Sequence, residues 1–199
     1  MEFVALFLKS LVLVPLTLLP IINPLGGAPI FTATAGDNPL VVQKMARQVA
    51  INCWFILVIS MLVGTYLLEF FGISLAIVRI GGGLLVAASG WRMLANKGED
   101  EVHRAVAKHA ADLPDLEIQR RSFFPITFPL TTGPGSIAAA IALGTNLPRT
   151  PVLYLLGALV AVLGVAITVL VIYFCYRHAG KMLSKLGEVG TMVMMQFFA

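Results

Sequence analysis

Charge is what this sequence lacks. Asp, Glu, Lys and Arg make up 12% of its 199 residues, against about 25% in a soluble domain. So small a polar inventory cannot cover a water-facing surface. With 58% hydrophobic residues and a mean hydropathy of +0.91, the chain reads as an integral membrane protein made of spanning helices. Short alternating segments, which an outer-membrane barrel would need, are also missing. Cysteine is scarce, and Cys53 and Cys175 both sit in apolar runs, so neither a disulfide framework nor a thiolate metal site is expected. No basic patch is interleaved with aromatics, which sets nucleic acid aside as a partner.

Catalytic groupings are absent too. Ser136 has no membrane histidine to activate it, no His-Glu-x-x-His occurs, and no paired acids lie within the apolar stretches. The chain is therefore not expected to be an enzyme, and no metal or cofactor is expected. His103 and His109 fall in a polar, mixed-charge segment without helical zinc spacing.

A spanning helix needs about 20 mostly apolar residues. On that measure a first span runs from Phe3 to Phe31, a second from Val49 to Leu68 and a third from Ile73 to Leu94. A fourth runs from Phe123 to Leu143 and a fifth from Val152 to Tyr176. Glu2 and Lys9 form no basic cluster ahead of the first run, which reads as a retained helix rather than a signal peptide. A polar connection with Asp37, Lys44 and Arg47 follows span one, Gly72 turns span two, and Asn96 to Arg121 is the long polar linker. Val189 to Ala199 leave room for a short sixth span only, about half the hydrocarbon thickness.

The expected fold is all-α, a polytopic membrane protein of about six spans. Residues 1–95 make a first three-helix repeat, 96–121 a linker and 122–199 a second repeat with a short, re-entrant or incomplete last helix. Three spans per repeat place the halves in opposite orientation, the inverted-repeat plan common among transporters.

Two spans are broken at matching places. The first reads Leu19-Pro20-Ile21-Ile22-Asn23-Pro24-Leu25-Gly26-Gly27-Ala28-Pro29 and the second Phe128-Pro129-Leu130-Thr131-Thr132-Gly133-Pro134-Gly135-Ser136. Proline removes an amide and clashes with the carbonyl one turn back. Hydrocarbon cannot satisfy the freed groups, so such breaks survive only where protein or a watery cavity surrounds them. A matched pair of interrupted helices points to a transporter's substrate site. Asn23 offers an amide side chain at the first break. Thr131, Thr132 and Ser136 offer hydroxyls at the second. The helix restarting at Ser136 presents unpaired amides and a partial positive charge, which suits a carboxylate.

Within the spans no Asp or Glu lies near mid-depth, and Glu69 sits at a span end. That disfavours a carboxylate proton relay and leaves ion coupling through carbonyls and hydroxyls, as for sodium, or a uniporter; the coupling ion, sodium or proton, stays open. Arg79 lies in the first turns of span three, near enough to the boundary to snorkel or to bond carbonyls at a break. Gly81-Gly82-Gly83 and Gly157, Ala161 and Gly164 make small faces for helix packing, with Gly82 a candidate beside a substrate path.

Asn23-Pro24-Leu25-Gly26, Phe71-Gly72-Ile73-Ser74 with Arg79-Ile80-Gly81-Gly82-Gly83, and the block Pro129 to Ala138 together resemble the MarC family of bacterial and archaeal membrane proteins. The likeness covers almost the whole chain. It implies a six-helix inner-membrane protein related to small neutral amino acid transporters. It also implies that Asn23, Pro24, Gly26, Thr132, Gly133, Pro134 and Gly135 line a central site, beside which Gly27, Thr131 and Ser136 complete the candidate set. Family members continue through a full sixth helix, where this sequence ends at Ala199. The expected function is a secondary transporter of glycine, alanine or serine. An exporter of amino acids, drugs or other metabolites and a non-transporting membrane protein are the alternatives. The expected partners are a small neutral amino acid and the bilayer, with a homo-oligomer left open.

Basic residues are unevenly shared. Lys44, Arg47, Arg92, Lys97, Arg104, Lys108, Arg120, Arg121, Arg177, Lys181 and Lys185 fall on one side, and only Lys9, Arg79 and Arg149 on the other. The positive-inside rule then puts the linker in the cytoplasm and the N-terminus outside. Topology reporters fused at residue 100 and at the N-terminus are expected to report inside and outside respectively; a linker found outside overturns this orientation.

Overall fold

The computed structural model describes residues 2–95, 114–145, 147 and 151–185. Among them every regular element is helical. Helix α1 (Glu2–Ile22) is followed by α2 (Pro24–Ala35), α3 (Pro39–Phe70) and α4 (Leu75–Ala95). Then come α5 (Asp115–Arg121), a wide π-helical segment (Ser122–Thr131), α6 (Pro134–Gly144) and α7 (Pro151–Arg177). By length and composition α3 and the Leu153–Arg177 part of α7 each suffice to cross a membrane. Leu11–Ile22 with Pro24–Ala35, bent by 55°, and Asp115–Thr131 with Pro134–Gly144, bent by 68°, qualify only as pairs. The two broken spans are the two that carry the proline-glycine motifs.

Two boundaries differ from the sequence expectation. Helix α3 begins at Pro39 rather than near Val49, so Lys44 and Arg47 ride on a helix instead of a polar connection. Asn38 caps it, its side chain accepting from the Leu40 amide at 3.0 Å, and Pro39 fills the first helical position. Hydropathy marks where a helix leaves hydrocarbon, not where it ends. For the same reason the end of the expected linker is helical. Helix α5 carries Asp115 and Glu117 in its first turn and Arg120 and Arg121 in its last, the arrangement the helix dipole favours. The linker's remaining residues, 96–113, and the expected short last span, 189–199, lie outside the described residues.

Helix α3 stops as its sequence suggests. Gly72 adopts φ 67°, its amide bonds the Glu69 carbonyl at 3.1 Å, and the Ile73 amide bonds the Leu68 carbonyl at 2.9 Å. These are the two bonds of a Schellman stop, which favours glycine in the left-handed position.

The interior sits between α3 and α7. Helix α3 packs on α6 and α7, and α7 packs on α1. Leu18, Phe31, Met45, Cys53, Leu57, Met61, Ile126, Val165, Ile172 and Tyr176 are buried there. Phe55, Ile59, Leu155, Leu170 and Phe174 point outward, as lipid-facing residues do. Lipid tails are as apolar as leucine, so close packing rather than water exclusion must hold membrane helices together. Small residues supply it. A Cβ on Gly64 would lie 2.5 Å from Ile141 Cγ1, one on Gly164 2.7 Å from Val14 Cβ, and one on Gly144 would run into the Met61 carbonyl oxygen.

The contacts also give direction. Val14 lies against Gly164 and Phe31 against Tyr176, so α1 and α2 run parallel to α7. Lys44 meets Asp115, Asn52 meets Thr127 and Gly64 meets Ile141, so α3 runs parallel to the stretch from α5 to α6.

Gly144→Ala is expected to lower thermal stability in detergent by about 1–3 kcal/mol, the cost of overpacking a tight contact. The obstacle is main chain and cannot swing aside. Gly83→Ala, where nothing lies within 4 Å, is expected to leave the melting temperature unchanged; equal effects at both sites would contradict the packing described.

Candidate functional site

The first break turns on Asn23. It holds a left-handed conformation, φ 47° and ψ 62°, and its side chain accepts from the Gly26 amide at 3.1 Å. Asparagine visits this region more easily than other non-glycine residues because its short side chain bonds locally. Pro24 then opens α2 where no amide is needed. Gly26 is glycine for a steric reason, since its Cβ would lie 2.5 Å from Asn23 Nδ2. The main chain stays bonded across the corner, Asn23 N to Leu19 O at 2.9 Å and Gly27 N to Asn23 O at 3.2 Å. Pro24, Gly26 and Gly27 are buried and Asn23 is half-buried.

The second break is longer. Pro125 and Pro129, both after cis peptide bonds, supply no amides, and Phe124 and Phe128 before them are extended. Threonine hydroxyls take up carbonyls here. Thr127 Oγ1 donates to Ser122 O at 2.6 Å, Thr131 Oγ1 to Ile126 O at 2.6 Å and Thr132 Oγ1 to Thr127 O at 2.9 Å. The Thr132 amide also reaches Thr127 O, at 2.7 Å. All four bonds join residues five apart, the spacing of a π-helix, a form often found at functional sites.

Helix α6 restarts from extended Gly133 (φ −79°, ψ 176°) with Pro134 in its first turn. Gly133 offers no side-chain cap, and Ser136 Oγ turns back to the Gly133 carbonyl at 2.9 Å. The amides of Gly135 and Ser136 therefore head α6 without a capping side chain. Thr131, Thr132 and Ser136 are buried, Gly133 and Gly135 half-buried, and Pro134 exposed.

The two breaks adjoin. Helix α2 packs on the π-helical segment, and α1 packs on α6. Between them stands Tyr176, from the last turn of α7. Its ring stacks on Phe31 with centroids 4.6 Å apart, and its hydroxyl lies 2.8 Å from Thr131 Oγ1. Thr131 gives its only hydroxyl proton to Ile126 O, so Tyr176 is the donor in this pair. A Cβ on Gly27 would lie 2.8 Å from Tyr176 Oη and 3.8 Å from Leu130 Cδ2. The phenol thus fills the gap between the broken spans and closes it on that side. Cys53 on α3 approaches from another direction, its buried thiol beside the Thr132 side chain.

Of the residues singled out in the sequence, Gly27, Thr131 and Thr132 come together around this gap. Asn23, Pro24 and Gly26 form the corner behind Gly27, and Gly133, Pro134, Gly135 and Ser136 form the restart of α6. Gly82 packs on that restart, its Cβ position 2.6 Å from Ala138 Cβ and 4.0 Å from Gly135 Cα. Arg79 lies a turn earlier on α4, its side chain outside the described set. Sequence reasoning missed Tyr176, Gln48 and Asn52. A phenol in the last turn of an apolar span reads like any aromatic of the interfacial belt. The two amides sit where the helix was taken to be only beginning.

Two adjoining broken helices among intact apolar spans define an all-α, polytopic integral membrane protein. A family model, "MarC family integral membrane protein", matches residues 8–199, and the chain belongs to the MarC family. It is 26% identical over 187 residues to a UPF0056 membrane protein of Pyrococcus horikoshii, covering 94% of this chain and 85% of the relative. A UPF0056 membrane protein of Archaeoglobus fulgidus is 29% identical over 175 residues, 87% of this chain and 78% of the relative. The UPF0056 inner membrane protein MarC of Salmonella typhimurium is 26% identical over 187 residues, 92% of this chain and 83% of the relative. No solved structure matches.

Gly27→Ala is expected to destabilise the protein by about 1–3 kcal/mol through overpacking against the Tyr176 hydroxyl. Gly27→Ala combined with Tyr176→Phe should recover most of that loss, because the obstructing oxygen is gone. Thermal unfolding of the four proteins in detergent reads the coupling; strictly additive losses would show that the hydroxyl does not fill the space beside Gly27.

Proposed function

We propose that this protein is a secondary transporter of small neutral amino acids (glycine, alanine or serine) in the inner membrane, with its site at the paired breaks. The observation that carries the reading is their meeting at Tyr176 and Thr131. Interrupted helices in corresponding places supply main-chain dipoles to a solute at mid-depth. The substrate carboxylate faces the amides of Gly135 and Ser136 at the start of α6, where the helix dipole favours negative charge. Its ammonium faces the carbonyls around Thr131, Thr132, Ile22 and Asn23. A net-neutral ligand suits spans that carry no acid at mid-depth.

The pairing of elements supports two inverted three-helix repeats. Parallel packing of α1 and α2 with α7 is exchanged with that of the α5-to-α6 stretch with α3 under a two-fold axis in the membrane plane. In that scheme Tyr176 walls the gap on its α7 flank, at the end bearing Lys44, Asp115 and Arg177, which the positive-inside rule makes cytoplasmic. The inner membrane fits the printed name of the Salmonella relatives. Coupling to sodium or protons is part of the proposal's test.

Proteoliposomes holding the purified protein are expected to take up labelled alanine and glycine saturably, under either a sodium or a proton gradient. Thr132→Val, which keeps shape and removes the hydroxyl, should lower the rate about tenfold or more, as the loss of a hydrogen bond at a charged ligand does. No saturable uptake of glycine, alanine or serine under any gradient would sink the reading.

A further inference from the structure

Helix α3 carries three polar residues at four-residue intervals, Lys44, Gln48 and Asn52, on one face. That face meets α5 and the π-helical segment. Lys44 Nζ pairs with Asp115 Oδ1 at 2.7 Å. Gln48 Nε2 donates to Asn52 Oδ1 at 3.3 Å, and Asn52 Nδ2 donates to Thr127 Oγ1 at 3.4 Å. Thr127 is fully buried and passes its own proton to Ser122 O at 2.6 Å. One residue on from Asn52, Cys53 lies beside Thr132 at the second break. A file of polar groups thus leads from a surface ion pair to the gap between the broken spans.

Depth makes this file informative. Between Arg47 and Glu69 helix α3 rises about 33 Å, close to the hydrocarbon thickness of about 30 Å. Asn52 therefore lies about 7.5 Å inside the charged boundary. Both amides are half-buried, and their mutual bonds are long. Gln48 Oε1 and one N–H of each amide have no partner among the described residues. Hydrocarbon does not tolerate such groups, so their open side faces water. Ile51, at the depth of Asn52 on another face of α3, and Phe55, about 4.5 Å deeper, are exposed and apolar, as lipid contact requires.

We infer that Gln48 and Asn52 line a water-filled vestibule between α3 and the π-helical segment, with Thr127 sealed behind Asn52. It opens at the end bearing Lys44 and Asp115, and through it a small zwitterionic solute reaches the breaks. The amides of Gln48 and Asn52 are the solute's first polar contacts. The vestibule stands on the geometry alone, whereas its occupant rests on the transport reading above.

The test is thiol accessibility in proteoliposomes, using a membrane-impermeant reagent and peptide mapping. Cys53 is fully buried, and wild-type labelling at Cys53 and Cys175 sets the baseline. Asn52→Cys and Gln48→Cys are expected to label about tenfold or more faster than Ile51→Cys and Phe55→Cys, because only a water-exposed thiol ionises and reacts. Gln48→Cys, about 1.5 Å inside the boundary, sets the rate at the mouth, and Asn52→Cys is labelled in unpurified membrane vesicles if it does not survive purification. Labelling at Asn52 no faster than at Ile51 overturns the vestibule, whatever the flux assay gives, because depth alone then accounts for access. Slowing of the Asn52→Cys reaction by alanine supports solute passage. Fast labelling indifferent to glycine, alanine and serine overturns the passage and leaves the wet vestibule without its solute.

Discussion

A peptide group with no partner cannot rest in hydrocarbon, and the architecture follows from how this chain meets that constraint at two prolines. At Asn23 the answer is local. One side chain curls back onto the Gly26 amide, the main chain bonds across the corner, and the break costs a single left-handed residue. At Pro125 and Pro129 the answer is distributed over ten residues, with three threonine hydroxyls bonding carbonyls five positions back. Neither solution needs solvent, and both fix where the next half-helix points.

Because the main chain is bonded across both corners, with only the opening amides of α6 uncapped, the breaks can be packed rather than left open. Helix α7 exploits this. Its lower half is ordinary close packing, with Gly164 receiving Val14, while its last turn places a phenol between the two broken spans. Gly27 exists as glycine for that phenol, and Thr131 holds its hydroxyl. On the other flank α3 brings no bulky wedge. It brings the half-buried amides of Gln48 and Asn52 and the buried thiol of Cys53. The gap between the breaks is thus walled by one aromatic side and one polar side.

Much of this was legible in the amino-acid order, and the reasons are physical. Long apolar runs reveal spans because composition alone decides what lipid accepts. Asn-Pro-Leu-Gly-Gly and Thr-Thr-Gly-Pro-Gly-Ser reveal the corners because proline and glycine act on their own backbone. What stayed hidden depends on partners distant in the chain. Tyr176 matters through Phe31, Gly27 and Thr131, none of which is near it in sequence. Gln48 and Asn52 were obscured because α3 runs on past its apolar part, so a polar face well inside a helix looked like its edge. The start of α5 was missed for a related reason, since charge suggests a loop even where it is arranged to suit a helix dipole.

The direction of the hydroxyl protons at the second break has one more consequence. Thr127, Thr131 and Thr132 all spend their protons on carbonyls behind them, and Tyr176 spends its own on Thr131. What remains on these oxygens is lone pairs alone, while the opening turn of α6 presents the uncapped amides of Gly135 and Ser136. The junction of the breaks is therefore two-sided, hydroxyl oxygens on one flank and amide hydrogens on the other. For the zwitterion proposed above, that polarity sets an orientation on entry, before any part of the protein moves.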